Sequence, residues 1–387
     1  MHESDSAPGK VSPTLLEAPD SDPSSRTRQA VRGDYADHHR SALEWILRSE
    51  RPAGGSSAQY LPALGWSKSY PETTGYIITT LIDADRRLQG LRFRAAAERF
   101  GAWLLSIQNA DGSWNGGMHP ARAARPSVFN TGQILNGMLA LWRATGDGRW
   151  IDAADRGARW LEAGMGKDGL WPGGDYRSGG TPSYYAHALW PLLEVAMERS
   201  HHSMADAATK GIRTVIARTR PNGAIGGWSF QDSAPAFTHT IAYTIKGIQE
   251  CGNLLGDDAM RRSVEPALDR LVQISELQGG SLPGAFDEDW RRHGRFVCLT
   301  GSVQLAECIL LHEARCPDLR LVSAAARLVD NVCRRQALDC VFPGIRGAIP
   351  GSAPLWGPYM RGRYPNWAAK FHCDAIVALH DRLEAIQ

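Results

Sequence analysis

The chain has 387 residues, with 43 Lys and Arg set against 41 Asp and Glu for a formal net charge of +2. So even a balance excludes the electrostatic footprint of a nucleic-acid or membrane-surface partner, and no apolar stretch reaches the roughly 18 residues of a membrane span. The seven cysteines all follow position 250 and form no CxxC pair. That usage implies a reducing compartment with free thiols and no disulfide framework.

Residues 1–33 are rich in Ser, Pro, Asp and Arg and lack an apolar signal-peptide core. They are expected to form a disordered leader, followed by one domain over residues 34–387 in a cytoplasmic protein.

From there the chain alternates two kinds of helix. The first kind opens at 37–49 and returns at 91–107, 149–163, 205–218, 259–274 and 319–335. In 91–107, Phe93, Ala96, Phe100, Trp103, Leu104 and Ile107 recur at three- and four-residue intervals on a charged helix, the pattern of a helix with one face in water. The second kind starts near Tyr70 (YPETTGYIITTLID), Ser127 (SVFNTGQILNGMLALW), Thr181 (TPSYYAHALWPLLEV), Phe237 (FTHTIAYTIKGIQE), Phe296 (FVCLTGSVQLAECILL) and Tyr364 (YPNWAAKFHCDAIVAL). A start recurring every 55–70 residues or so is the mark of one supersecondary unit in an array. These helices carry few charges, and their non-apolar sides hold Gly, Ala, Thr, Asn, Gln, Tyr and His. A helix of that character is buried on both sides. The expected architecture is all-α: an (α/α)6 toroid with six inner helices around a central cavity and six outer ones. Short Gly-Asp turns follow inner helices (ATGDGRW, LLGDDAM) and longer Gly-, Pro- and Trp-rich loops follow outer ones, which puts the mouth of a site at the inner helices' N-terminal ends.

The stretch from Arg99 through Gln108-Asn-Ala-Asp-Gly-Ser-Trp114 resembles the repeat of squalene and oxidosqualene cyclases and protein prenyltransferase β-subunits. The whole twelve-helix pattern is similar to the toroids those proteins share with six-hairpin glycosidases and polysaccharide lyases. More narrowly, the run from GAIPGSAPLWGPY to YPNWAAKF resembles bacterial toroid proteins of exopolysaccharide gene clusters. The resemblance implies the fold and leaves the chemistry to the residues.

The cyclase acid motif DxDD is absent; Asp83-Ala-Asp85 and Asp287-Glu-Asp289 are the nearest strings. A prenyltransferase-like zinc site would draw on Cys298, His372 and Asp287 or Asp374, but His372 and Cys373 diverge by about 100° on a helix, and no metal or other cofactor is expected. Carbohydrate chemistry fits the residues better, because flat aromatics bind the C–H faces of sugar rings. Trp228, Trp290 and Trp356 are expected to hold those rings, with Tyr184, Tyr359 and Trp367 beside them, whereas Trp114 and Trp171 read as clasps on the preceding loop. Abstracting a proton beside a uronate carboxylate needs a base and groups that neutralise the acid. His239 and Tyr243, four apart on one helix face, are the candidates for base and His187 for the reciprocal acid. Asn130, Gln133, Asn366 and Lys370 would hold the substrate acid, with Asp374 an alternative, purely structural partner of Lys370. Hydrolysis would instead take two carboxyl groups from Glu72, Asp175, Asp232 and Asp287.

The expected function is therefore a carbohydrate-active enzyme that cleaves or modifies an acidic bacterial polysaccharide or its intermediate, with lyase or epimerase chemistry ahead of hydrolysis. An isoprenoid-handling enzyme and a non-catalytic glycan-binding toroid are the alternatives.

Overall fold

The computed structural model describes residues 35–176 and 179–386; the expected leader lies outside them. Thirteen α-helices account for most of the described chain. The inner helices are α2 (Pro71–Leu88), α4 (Val128–Thr145), α6 (Ala186–Glu198), α8 (Thr238–Leu255), α11 (Leu299–Glu313) and α13 (Asn366–Ala385). Each packs against the inner helix before and after it, and α13 packs against α2 to close the ring. Outside them run α1 (Ala36–Arg48), α3 (Leu91–Ser106), α5 (Gly148–Ala163), α7 (His202–Ile216), the pair α9 (Asp258–Arg262) and α10 (Glu265–Leu277), and α12 (Leu319–Cys333). Each inner helix pairs with the outer helix that follows it, except that α13 takes α1 as its partner. The last hairpin is thus made from the two ends of the described chain.

Burial follows the two sequence patterns. In α4 every residue from Phe129 to Leu139 is buried, whereas α5 buries Trp150, Ala154, Ala158 and Leu161 and exposes its charged face. The inner helices approach closely because small residues meet at their crossings. A Cβ added to Gly137 would stand 2.2 Å from the backbone oxygen of Gly75, and one on Gly301 would stand 2.5 Å from the backbone nitrogen of His239. The Gly-Asp turns act as stops and starts: Gly146 ends α4 in the left-handed conformation at φ 71°, and the Asp147 carboxylate accepts from Arg149 N to cap α5. Gly256 and Asp257 repeat the device between α8 and α9.

The expected outer helix over 259–274 is broken in two. Pro266 stands at the start of α10, and a proline there has no N–H to continue the ladder from α9. The third inner helix is also entered differently, through a 3-10 turn at Ser183–Tyr185.

Short strands stitch the rim. β1 (Gln59–Leu61) pairs antiparallel with β2 (Gly65–Trp66) and with β7 (Tyr364–Pro365), the latter in the register Gln59 to Pro365. β3 (Ala236–Phe237) pairs with β4 (Ala285–Phe286), and β5 (Val297–Cys298) with β6 (Ser352–Ala353). Each pairing fixes the approach to an inner helix, and so fixes where the first-turn side chains of that helix point.

Candidate active site

The starts of the inner helices converge on a cavity of about 630 Å3, open at the rim. From α2 it receives Tyr70, Glu72 and Tyr76, from α4 Phe129, and from α8 His239 and Tyr243. Tyr184, Tyr359 and Trp367 complete the aromatic wall, with Arg363 at the mouth. In the ring order, α2 and α8 are opposite one another, so Glu72 and His239 enter the same space from facing walls.

Glu72 is the distinctive group. Burial pushes its carboxyl up to about 7, against a hydrogen bond from Tyr70, and the neighbouring Asp175 charge raises it further. The Tyr70 hydroxyl is shared with Tyr176 in the same chain of contacts. Asp175 reaches solvent at the rim, yet its carboxylate is held by Ser127 Oγ at 2.8 Å and the Tyr185 hydroxyl at 2.9 Å. Burial raises its pKa too, and those two donors work against the rise. One carboxyl with a single donor thus stands near another with several.

Deeper in the lumen, Tyr243 lies between two histidines, its ring centroid 4.4 Å from those of His187 and His239. His239 Nδ1 bonds Gln304 Oε1 at 2.7 Å. An amide oxygen can only accept, so Nδ1 carries the proton and Nε2 the lone pair. Burial pushes His239 down to about 4 and His187 well below the ordinary range, so both imidazoles are neutral at pH 7. His187 is clamped more tightly. Pro191, inside α6, has no N–H to offer the His187 carbonyl four residues back. Gln133 Nε2 fills that position at 3.1 Å, while Gln133 Oε1 takes His187 Nδ1 at 2.9 Å.

The rings of Tyr76, Phe129, Tyr243 and Phe371 come from four different inner helices and meet at 5.4–5.8 Å between centroids. They floor the upper cavity. Beneath this plug, towards the other end of the ring, is a second cavity of about 400 Å3 lined by charged residues including Asp83, Arg143, Lys246, Glu307 and Lys370.

Of the residues singled out from sequence, Glu72, Tyr184, His239, Tyr243, Tyr359 and Trp367 line the upper cavity, and Asp175 stands at its rim. The others lie elsewhere. His187 and Gln133 belong to the layer behind Tyr243, and His187 lines the lower cavity. Lys370 is also below the plug, paired with Asp374, which accepts from Thr80 at 2.7 Å. Asn130 and Asn366 are struts: Asn130 Nδ2 donates to Asn115 O at 3.0 Å, and Asn366 Nδ2 to Ser56 Oγ at 2.6 Å. Neither lines the upper cavity. Asp287 and Trp228 line a separate pocket of about 390 Å3 with Glu288 and His293. Trp290 packs against Trp228 at 5.4 Å and donates its indole N–H to Asn222 O. Trp356 is 72 % exposed and is not among the residues lining the upper cavity.

Trp114 and Trp171 are clasps, donating to Leu104 O and Leu161 O ten residues back. Trp228 has the same spacing from Arg218 but makes no such bond, its indole N–H being buried without a partner among the described residues. Cys298, with Tyr359 and Phe296, is part of an apolar cluster, and its Sγ accepts from Gly301 N at the start of α11.

Tyr70 stands at the mouth as its place before an inner helix implies, but sequence reasoning missed Tyr176, Gln304 and Arg363. Gln304 had a signal: it lies six residues past Cys298 at its helix start, as Gln133 lies six past Ser127. Arg363 had none, being an exposed loop residue until the fold brings it to the mouth.

No family model matches the chain, and no curated protein matches it in sequence. Solved structures do match its fold. An unsaturated glucuronyl hydrolase specific for heparin superposes with a TM-score of 0.72 at 15 % identity, over 91 % of this chain and 98 % of that one. Cellobiose 2-epimerase from Spirochaeta thermophila gives 0.71 at 16 %, over 96 % and 100 %. A Bacillus unsaturated glucuronyl hydrolase, described as responsible for glycosaminoglycan degradation, gives 0.70 at 13 %, over 89 % and 96 %. The chain therefore has an (α/α)6 toroid fold, as those structures do. At these identities the likeness establishes architecture, and the exopolysaccharide-cluster resemblance rests on sequence pattern alone.

Proposed function

We propose that the protein is a carbohydrate-active enzyme that hydrolyses a glycosidic bond at the end of a short acidic oligosaccharide, with Glu72 as general acid. The observation that carries this reading is the Glu72–Asp175 pair: two neighbouring carboxyl groups, one pushed up by burial to about 7 so that a large share of it keeps its proton at neutral pH, the other held by the Ser127 and Tyr185 hydroxyls. Glu72 donates its proton to the leaving oxygen as the bond to the anomeric carbon breaks. Water attacks that carbon, and Asp175 takes the water's proton. The aromatic wall supplies faces for the sugar rings. The Arg363 guanidinium, which makes no ion pair among the described residues, takes the sugar carboxylate as a two-pronged donor. A pocket of this volume, floored by a plug, suits a chain end better than the interior of a polymer. The structural relatives include enzymes named for glucuronyl hydrolysis and for sugar epimerisation, which supports the substrate class.

A second reading, epimerisation or elimination by proton abstraction, is favoured by the neutral imidazoles flanking Tyr243. It ranks behind hydrolysis because His239, depressed to about 4, is a weak base, and His187 lies behind Tyr243.

Uronate-terminated disaccharides and trisaccharides incubated in 18O-water, and in parallel in D2O, separate the readings. Hydrolysis places one 18O in the product for each bond broken, and Glu72→Gln lowers kcat by about 10²–10⁴-fold. Solvent deuterium entering an uncleaved sugar would replace hydrolysis with the second reading. Binding without turnover, unchanged in Glu72→Gln, would make the protein a glycan-binding toroid.

A further inference from the structure

The seam where α1 meets α12 and α13 carries a group of side chains that the cavity chemistry does not use. His38 on α1, Cys333 at the end of α12 and His372 on α13 each bring one ligand atom within 4.8 Å of the others. Cys333 Sγ is 3.8 Å from His372 Nε2, and the two imidazole rings are edge-on with centroids 6.4 Å apart. His372 has no exposed surface and Cys333 is 7 % exposed, while His38 is partly open to solvent.

We propose that His38, Cys333 and His372 form a zinc site that fastens the first helix of the ring to the last. Zn–S and Zn–N bonds of about 2.3 and 2.0–2.1 Å hold sulfur and nitrogen roughly 3.6–3.8 Å apart in tetrahedral or trigonal geometry, and the observed separation falls there. His38 is already oriented as a ligand would be. Its Nδ1 bonds Gln336 Oε1 at 2.7 Å, and Gln336 Nε2 is anchored on His38 O and Gly347 O at 3.0 Å each. Such an outer partner fixes the tautomer and frees the other nitrogen for a metal. His372 is fully buried and turns Nε2 towards the site, where its contact is the Cys333 thiol at 3.8 Å. A long contact to a thiol is a poor return for burying an imidazole; a bond from Nε2 to a cation is a sufficient one.

Binding releases the Cys333 thiol proton to solvent, leaving one net positive charge on the zinc–thiolate unit. Asp330, one turn earlier on α12 and accepting from the Tyr35 hydroxyl at 2.6 Å, offsets that charge, with Arg334 the opposing cation nearby. Three protein ligands leave a fourth position for water.

The test uses the full chain after dialysis against a chelator. Cobalt(II) is titrated in while the thiolate-to-cobalt charge-transfer absorbance is followed, and zinc is then added. The expected result is one cobalt per chain, displaced by zinc, with the band lost in Cys333→Ala. His38→Gln, a partly exposed position that leaves the core intact, should weaken binding at least tenfold. Cys316→Ser, removing the thiol of an exposed Glu265–His312–Cys316 group, should leave the band unchanged. Zinc should raise the unfolding temperature of the parent and leave that of Cys333→Ala where it was. Absence of the band, its survival in Cys333→Ala, or binding indifferent to His38→Gln would overturn the assignment.

Discussion

Glu72 illustrates how a single residue can cost stability and supply function. Its folded pKa of about 7 lies above the ordinary 4.5, so the folded protein holds this proton more tightly than the unfolded chain does. Stability from this group is fully present below about pH 4.5 and is lost as pH rises towards 7, by up to about 3 kcal/mol. Glutamine has no such titration. Glu72→Gln is therefore expected to unfold at a higher temperature than the parent at about pH 8 and at nearly the same temperature at about pH 4, while losing activity. A parent more stable than the variant in alkali would remove the basis for a buried acid. Arg363 tests the other half of the site. Truncating an exposed arginine that makes no ion pair among the described residues should leave folding intact. Arg363→Ala should raise KM for an acidic substrate about tenfold or more, with little change for the neutral analogue.

At the scale of the helix, the inner ring depends on close crossings rather than on helix propensity. Alanine is a better helix former than glycine by about 1 kcal/mol, yet a Cβ on Gly137 would collide with the backbone of α2. Gly137→Ala should thus destabilise by about 1–3 kcal/mol in denaturant unfolding. Gly148→Ala, where an added Cβ meets nothing within 4 Å, should be neutral or slightly stabilising. Equal effects at the two sites would mean that the crossings are looser than drawn. The Gln133–Pro191–His187 arrangement belongs to this scale as well. A proline opens the ladder of α6, and a side chain of α4 closes the gap while setting the histidine's tautomer.

For the whole molecule, two neutral imidazoles sit in the lumen. The folded pKa values of His187 and His239 lie below the ordinary 6.5, so the unfolded chain binds protons that the folded one refuses. Their contribution is fully present above about pH 6.5 and declines as pH falls, by about 3 kcal/mol for His239 alone by pH 4. Glu72 works in the opposite sense over the same window. Urea midpoints should fall between about pH 7 and 4, and fall more steeply in Glu72→Gln, which lacks the opposing term. A midpoint that rises towards acid would contradict the neutral state of both histidines.

Much of the architecture was legible in the chain because its signals are local. Helical periodicity, glycine stops and aspartate caps each involve residues within a turn or two, and six such starts implied a ring. The fifth outer helix, broken ahead of Pro266, shows the same locality, since proline's missing N–H is a sequence property. The site was legible only in part. Glu72, His239, Tyr243 and Tyr184 share the helix-start position that faces the lumen, and that position follows from the repeat. Whether such a residue lines the cavity, sits behind it or braces a loop depends on neighbours from other repeats. Asn130 and Asn366 reach rim carbonyls and hydroxyls, Lys370 falls below an aromatic floor built from four helices, and Trp228 breaks the clasp rule by packing against Trp290 with its indole N–H unpartnered among the described residues. The sequence by itself determined the repeating unit and the end of the ring at which polar side chains gather. Only the tertiary structure decided which of them meet, because the partners lie tens to hundreds of residues apart and their pairing is set by ring order, which no local pattern encodes.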